Sequence, residues 1–350
     1  MMSLRLLGVA LGLTACATMA SPAPDGTRVE SPPPAAPPTR ATPPAKAPPR
    51  ATFESEEFIV TLAEAEDTTA TLAARYLGDA GKAWRIEAYM GARTFAVGQE
   101  VVIPKRDWNP AGVSPSGYQL VPVLVYHNLG PQARGRLVMA ANRFEDQMRY
   151  LKAEGYHVIN LRQFLEFTSL RRQLPPKSVL LAFDDGYKAF RQYAYPVLKP
   201  LGFTATLFVY TDYVGGGRNA LSWADLRELA AEGFDIQAHS KSHADLRRGP
   251  GESPEQYDKR MQAELGHPNA LLRQHLGRPS DVLAYPYGYW DDSLLEHVRR
   301  HGYVAAFTVR RQANPAFAVP LRISRSQIYA EMSLEEFARA LNVFHKENLK

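Results

Sequence analysis

From residue 121 onward, short apolar runs alternate with amphipathic stretches. The runs begin near Val121, Val158, Val179, Ala205, Asp235, Asp281 and Tyr303. Each is rich in β-branched or aromatic residues and stops at turn-forming positions, which predicts buried strands. The stretches between them carry apolar residues at helical spacing. Phe144, Met148 and Leu151 share one face behind a candidate capping box of Asn142 and Glu145, and Gly155 supplies a stop. Residues 222–233 repeat the arrangement. Strand-helix alternation of this kind predicts an α/β fold with a parallel sheet, and about seven strands suffice to close it as a barrel.

The pattern upstream is different. Residues 58–62 read as a strand, 67–76 as a helix with Asp67 as its N-cap, 84–89 as a second short helix and 97–104 as a returning strand. We take 57–105 as a small α+β unit and 118–345 as the main domain. Residues 21–51 hold proline clusters and almost no large apolar side chain. Such a segment buries no core and reads as an extended linker. Residues 1–15 have Arg5 followed by an apolar stretch at 6–13, too short to span a membrane, and read as a signal peptide.

Charge and cysteine usage narrow the classes. The net charge of +5 is modest and spread out, which argues against nucleic acid as a partner. The single cysteine, Cys16, follows Leu13-Thr-Ala at the end of the apolar stretch, and with no second cysteine no intrachain disulfide forms.

The candidate chemistry lies at the ends of three predicted strands. The run 178–187 ends in Asp184, Asp185 and Gly186; two adjacent carboxylates reach one site only where the strand ends and the backbone turns. In 233–243, His239 and His243 are four apart, a spacing that puts both imidazoles on one side of a helix or tight turn. Two histidines and one aspartate make three ligands for a first-row metal and leave positions open. The third stretch, 282–290, ends in Ala284-Tyr-Pro-Tyr-Gly288, then Tyr289 and Trp290.

In this order, FDDGY, HSKSH and AYPYG resemble the NodB-type polysaccharide deacetylases, and Pro122-Val-Leu-Val-Tyr-His127 is similar to the branch acting on exopolysaccharide N-acetylglucosamine. The resemblance implies a distorted (β/α) barrel with the motifs at its C-terminal strand ends, and hydrolysis of an N-acetyl amide. It implies that Asp185, His239 and His243 hold a divalent metal, zinc first, with cobalt or nickel also fitting. Asp184 would be the base, and the backbone N–H of Tyr287 would meet the oxyanion. Tyr285, Tyr289 and Trp290 are candidates for stacking on sugars. Two features depart from the family: Ala284 stands where many members have the arginine that orients the base, and 320–325 lacks the Leu-x-His that usually supplies the acid. His301 and His345 read as surface residues, which leaves His127 as the candidate acid.

Residues 57–105 resemble a LysM module, which implies affinity for N-acetylglucosamine chains. Glu66 stands in place of its usual Gly before Asp-Thr, and Tyr89-Met90 in place of its Asn. Leu13-Thr-Ala-Cys16 resembles a lipobox, which implies acylation of Cys16, a 16–51 tether and an outer-membrane lipoprotein facing the periplasm. The expected partners are the membrane and an N-acetylglucosamine polymer or peptidoglycan. Two other readings stay open: a non-catalytic glycan-binding lipoprotein, and a metal hydrolase acting on peptides or O-acetyl esters.

Overall fold

The computed structural model describes residues 51–106 and 109–348. The signal peptide, Cys16 and all of the linker but Ala51 therefore lie outside the described residues. Among the described residues, no helix is long and apolar enough to cross a membrane.

The main sheet is entirely parallel. Its strands are β1 (Val123–Tyr126), β2 (His157–Ile159), β3 (Ser178–Asp185), β4 (Thr206–Val209), β5 (Asp235–Ala238), β6 (Val282–Ala284), β7 (Ala305–Phe307) and β8 (Ser326–Gln327). The order is β7-β6-β5-β4-β3-β1-β8, with β2 beside the first half of β3. All seven expected runs are strands, and β8 is an eighth that the apolar pattern did not mark. β8 is short and mostly polar, and it pairs only with β1. Just before it, Ile323 bridges to Phe307 of β7. Residues 323–327 thus span the gap between the first and last strands, which draws the sheet toward a distorted barrel.

Alternation along the strands sorts their side chains into two cores. Leu180 and Ala182 join Val123, Val125, Phe208, Ala284, Phe307 and Ile323 on the inside. Phe208 and Phe307, three strands apart, meet across the interior at 5.4 Å. Leu181, Phe183, Leu207, Ile236 and Leu283 face outward against the helices. Asp184 continues the inward set, so β3 carries its first carboxylate into the barrel mouth.

Two expected caps are corrected. The helix Ala141–Ala153 starts after Ala140 with no side-chain cap, so Asn142 lies inside its first turn. In the upstream unit, Thr68 rather than Asp67 caps the helix Thr69–Leu77, through a capping box with Thr71. Asp67 instead accepts the Glu64 amide at 2.8 Å and pairs with Arg75 at 3.2 Å. The rest of that unit follows the expected order: strand Phe58–Leu62, two helices, and a returning strand that begins at Glu100. An edge strand, Thr52–Glu54, is added to the antiparallel sheet.

Candidate active site

The C-terminal ends of β1, β3 and β5 and the turn after β6 converge on one cluster. Asp185 Oδ1 lies 3.6 Å from His239 Nε2 and 3.4 Å from His243 Nε2, and Asp184 Oδ2 lies 3.8 Å from His239 Nε2. The backbone explains how neighbours reach one site. Asp185 itself adopts a left-handed conformation (φ 75°), and Gly186 follows at 80°, so the strand turns between the two carboxylates. His239 and His243 are joined by a tight turn rather than a helix, with Ser240 and His243 also at positive φ. Tyr287 adds another at 59°. Four of the six non-glycine residues with positive φ among the described residues therefore crowd this cluster, where strain is expected of a functional site. After Tyr287 the chain must be glycine, because a Cβ on Gly288 (φ 73°) would lie 2.6 Å from the Val309 amide nitrogen.

The two carboxylates are in different electrostatic surroundings. Burial pushes the Asp184 carboxyl up, but the charges of Arg325, His239 and His127, with the Arg325 hydrogen bond, hold it below its usual range. That hydrogen bond is 2.7 Å long, from a fully buried guanidinium. Asp185 is pushed up to about 6 by burial, and the neighbouring Asp184 charge adds to the rise. Its buried Oδ1 has no hydrogen-bond partner in the protein. Burial lowers His239 to about 4, and it lowers His243 as well.

The donor set fits a divalent cation. Asp185, His239 and His243 each offer an atom within 4.8 Å of the other two. The partnerless Asp185 oxygen is the group such an ion would satisfy. His239 Nδ1 lies 2.8 Å from the Ala284 carbonyl oxygen. Donating to that oxygen fixes the proton on Nδ1 and leaves the Nε2 lone pair facing the carboxylates, as metal-ligating histidines require.

Of the other predicted residues, His127 directly follows β1 and is close enough for its charge to act on both aspartates; its buried Nδ1 has no partner. Tyr287 lies edge-on to His243 at 4.8 Å and is half exposed, and Tyr289 continues the rim with the Arg247 guanidinium over its ring. Tyr285 is corrected. It is fully buried, points outward from the sheet like Leu283, and its hydroxyl donates to the Leu321 carbonyl, so it presents no face to a sugar. Trp290 is half-buried against the outer core with Arg322 over its ring, which ties it to packing rather than to an open platform. His301 and His345 contact His297 and Tyr118.

Sequence reasoning missed Arg325, which makes the contact with Asp184 that the resemblance leads us to expect from an arginine at position 284. It also missed Tyr187, Tyr210 and Tyr213, whose rings run on from His243 around the other side of the cluster.

Residues 171–306 match the polysaccharide deacetylase family model. YxkH of Bacillus subtilis, assigned to the polysaccharide deacetylases, is 27% identical over 204 residues, covering 58% of this chain and 70% of the relative. The poly-β-1,6-N-acetyl-D-glucosamine N-deacetylase of Staphylococcus epidermidis is 26% identical over 188 residues, covering 52% of this chain and 65% of the relative. Among solved structures, IcaB from Ammonifex degensii superposes with a TM-score of 0.57 at 26% identity, covering 65% of this chain and 97% of that one. Residues 171–306 are therefore similar to the polysaccharide deacetylase domain, whose homologues are hydrolases of the carbon–nitrogen bond of N-acetyl groups.

Proposed function

We propose that this protein is a metal-dependent N-deacetylase of an N-acetylglucosamine polymer, either an exopolysaccharide or peptidoglycan. The observation that carries the reading is the division between two adjacent aspartates. One is neutralised by Arg325, and the other points a partnerless oxygen at two imidazoles. Asp185, His239 and His243 would hold the ion, with zinc the first choice and cobalt or nickel alternatives. When bound, such an ion polarises an acyl carbonyl and lowers the pKa of water at the site.

The chain's own residues do the rest. Asp184, kept ionised by Arg325, accepts the proton of the attacking water. The Tyr287 amide donates to the oxyanion of the tetrahedral intermediate. His127 delivers a proton to the departing sugar nitrogen, so acetate leaves and an amine remains. Tyr289 and Tyr287 offer exposed aromatic surface to the sugar.

The remaining domains fit the same setting. Residues 57–105 form a LysM-like glycan-binding unit, supported by their strand-helix-helix-strand order and by the exposed Trp84 and Tyr89. Residues 118–345 are the catalytic domain. Cys16 carries the lipid that anchors the protein at the outer membrane, and residues 16–51 are its tether. The experiment is acetate release from β-1,6- and β-1,4-linked N-acetylglucosamine oligomers, O-acetylated glycans and peptidoglycan, with and without a chelator. Release from none of the N-acetylated substrates, or release unaffected by chelation, overturns the reading.

A further inference from the structure

The turn that carries both imidazoles has no regular secondary structure, yet five of the backbone groups of residues 240–243 are hydrogen-bonded. The carbonyls of Ser240 and Lys241 accept the amides of Thr211 and Asp212 at 3.3 and 2.9 Å. The His243 amide donates to the Ser240 hydroxyl oxygen at 2.9 Å. The two amides between them go to one distant side chain. Glu264 Oε2 accepts the Lys241 amide at 3.1 Å and the Ser242 amide at 3.0 Å, while Oε1 accepts the Ser242 hydroxyl at 2.6 Å.

The position of this carboxylate is costly. Residues 254–276 form one continuous helical stretch, and Tyr257, Met261, Leu265, Pro268 and Leu272 make its buried stripe. Glu264 lies on that stripe and is itself buried, inside a π-helical turn, Gln262–Gly266, between two α-helices. A buried carboxylate among apolar neighbours is tolerated only when its oxygens are filled with donors. Here the three donors all come from the 241–242 backbone and side chain. An apolar residue would suit the helix packing better, so what favours a carboxylate at 264 is the turn it grips. A π-turn inserted at a functional element is a recurrent device for aiming one side chain.

We infer that Glu264 is a positioning residue for the metal centre, fixing the 240–243 turn so that His243 and His239 face Asp185 together. The inference rests on the reading that these three residues hold the ion. Residues that orient metal ligands from behind typically change affinity about 10–100-fold when removed. Glu264 acts one step further back, through the backbone, so about tenfold is expected.

The test titrates the metal-free protein with zinc, using a competing chromophoric chelator, in the parent, Glu264→Met and Glu264→Gln. Methionine keeps the length and volume but offers no comparable acceptor. Glutamine keeps an oxygen for the two amides while its NH2 turns to the Ser242 hydroxyl. The expected result is about a tenfold weaker affinity for Glu264→Met and a value within about threefold of the parent for Glu264→Gln. Glu264→Met binding zinc as tightly as the parent overturns the inference, whatever happens to its melting temperature. Should that variant fail to fold, Ser242→Ala removes one contact at the partly exposed end of the network and should weaken zinc about threefold; no change there overturns it too. A parent that binds no zinc overturns the metal reading itself, and this inference with it.

Discussion

The guanidinium of Arg325 and the carboxylate of Asp184 form a buried ion pair, Nη1 to Oδ1 at 2.7 Å, between residues 141 positions apart in the chain. Breaking a pair of this kind by removing one partner typically costs about 3–5 kcal/mol. Arg325→Gln should therefore lower unfolding stability by that order and raise the proton affinity of Asp184. Turnover should fall at neutral pH and recover partly as pH rises, while zinc affinity stays near the parent value. Urea unfolding and a pH–rate profile check this; a variant with parental stability and an unshifted profile would show that the pair does neither job.

Asp184 and Asp185 should respond differently to the same substitution. Asp184→Asn keeps the metal, because Asp184 is not among the three ligands, but it loses about 10²–10⁴-fold in turnover because an amide accepts no proton. Asp185→Asn loses metal affinity, since a neutral amide is a poorer ligand, and part of its activity returns with excess zinc. Zinc titration of both variants decides the matter. An identical response to added metal means the roles have been divided wrongly.

The raised pKa of Asp185 makes a separate statement about the metal-free protein. Its folded value, about 6, lies above the ordinary carboxylate value near 3.9. Folding therefore favours the protonated form. The group's contribution is fully present below about pH 4 and is lost as pH rises through 6. Asp185→Asn does not titrate. In chelator it should gain on the parent as pH rises from 4.5 to 7.5, by about 2 kcal/mol. Zinc should reverse the ranking. A stability difference that is flat with pH would contradict the assigned shift.

Anchoring is tested at Cys16, which lies outside the described residues. Cys16→Ser removes the only acylation site that the lipobox-like stretch offers, so the variant should leave the membrane fraction or remain unprocessed. Recovery of a processed variant still bound to membranes refutes lipid attachment there.

Much of the site was legible because its chemistry sits on short local motifs. Asp184, Asp185, His239 and His243 fall at strand ends whose apolar runs are easily read, and their convergence follows from parallel β/α order. Arg325 was not legible in the same way. It lies on a strand seam of mixed polarity, and only the closing of the sheet brings it to Asp184. The family model's match to residues 171–306 stops short of it as well. Tyr285 was misread because nothing in AYPYG tells which face of β6 continues past Ala284. Once β6 is in the sheet, alternation with the inward Ala284 sends the ring outward. Asp67 failed as a cap because it lies one residue before the N-cap Thr68 and accepts the Glu64 amide instead, and Asn142 failed because the helix starts before it, after Ala140.

The seam at residues 323–327 also sets an order of assembly. Asp184 is made 141 residues before its counter-charge, and Arg325 reaches it only when Ile323 has docked on β7 and Ser326 on β1. Until then an ionised Asp184 has no arginine to neutralise it, so a nascent or locally opened domain must leave that carboxylate wet or protonated. Completion of the sheet and pairing of Asp184 with Arg325 are consequently a single event, so in the proposed mechanism the base is armed only once the domain has closed.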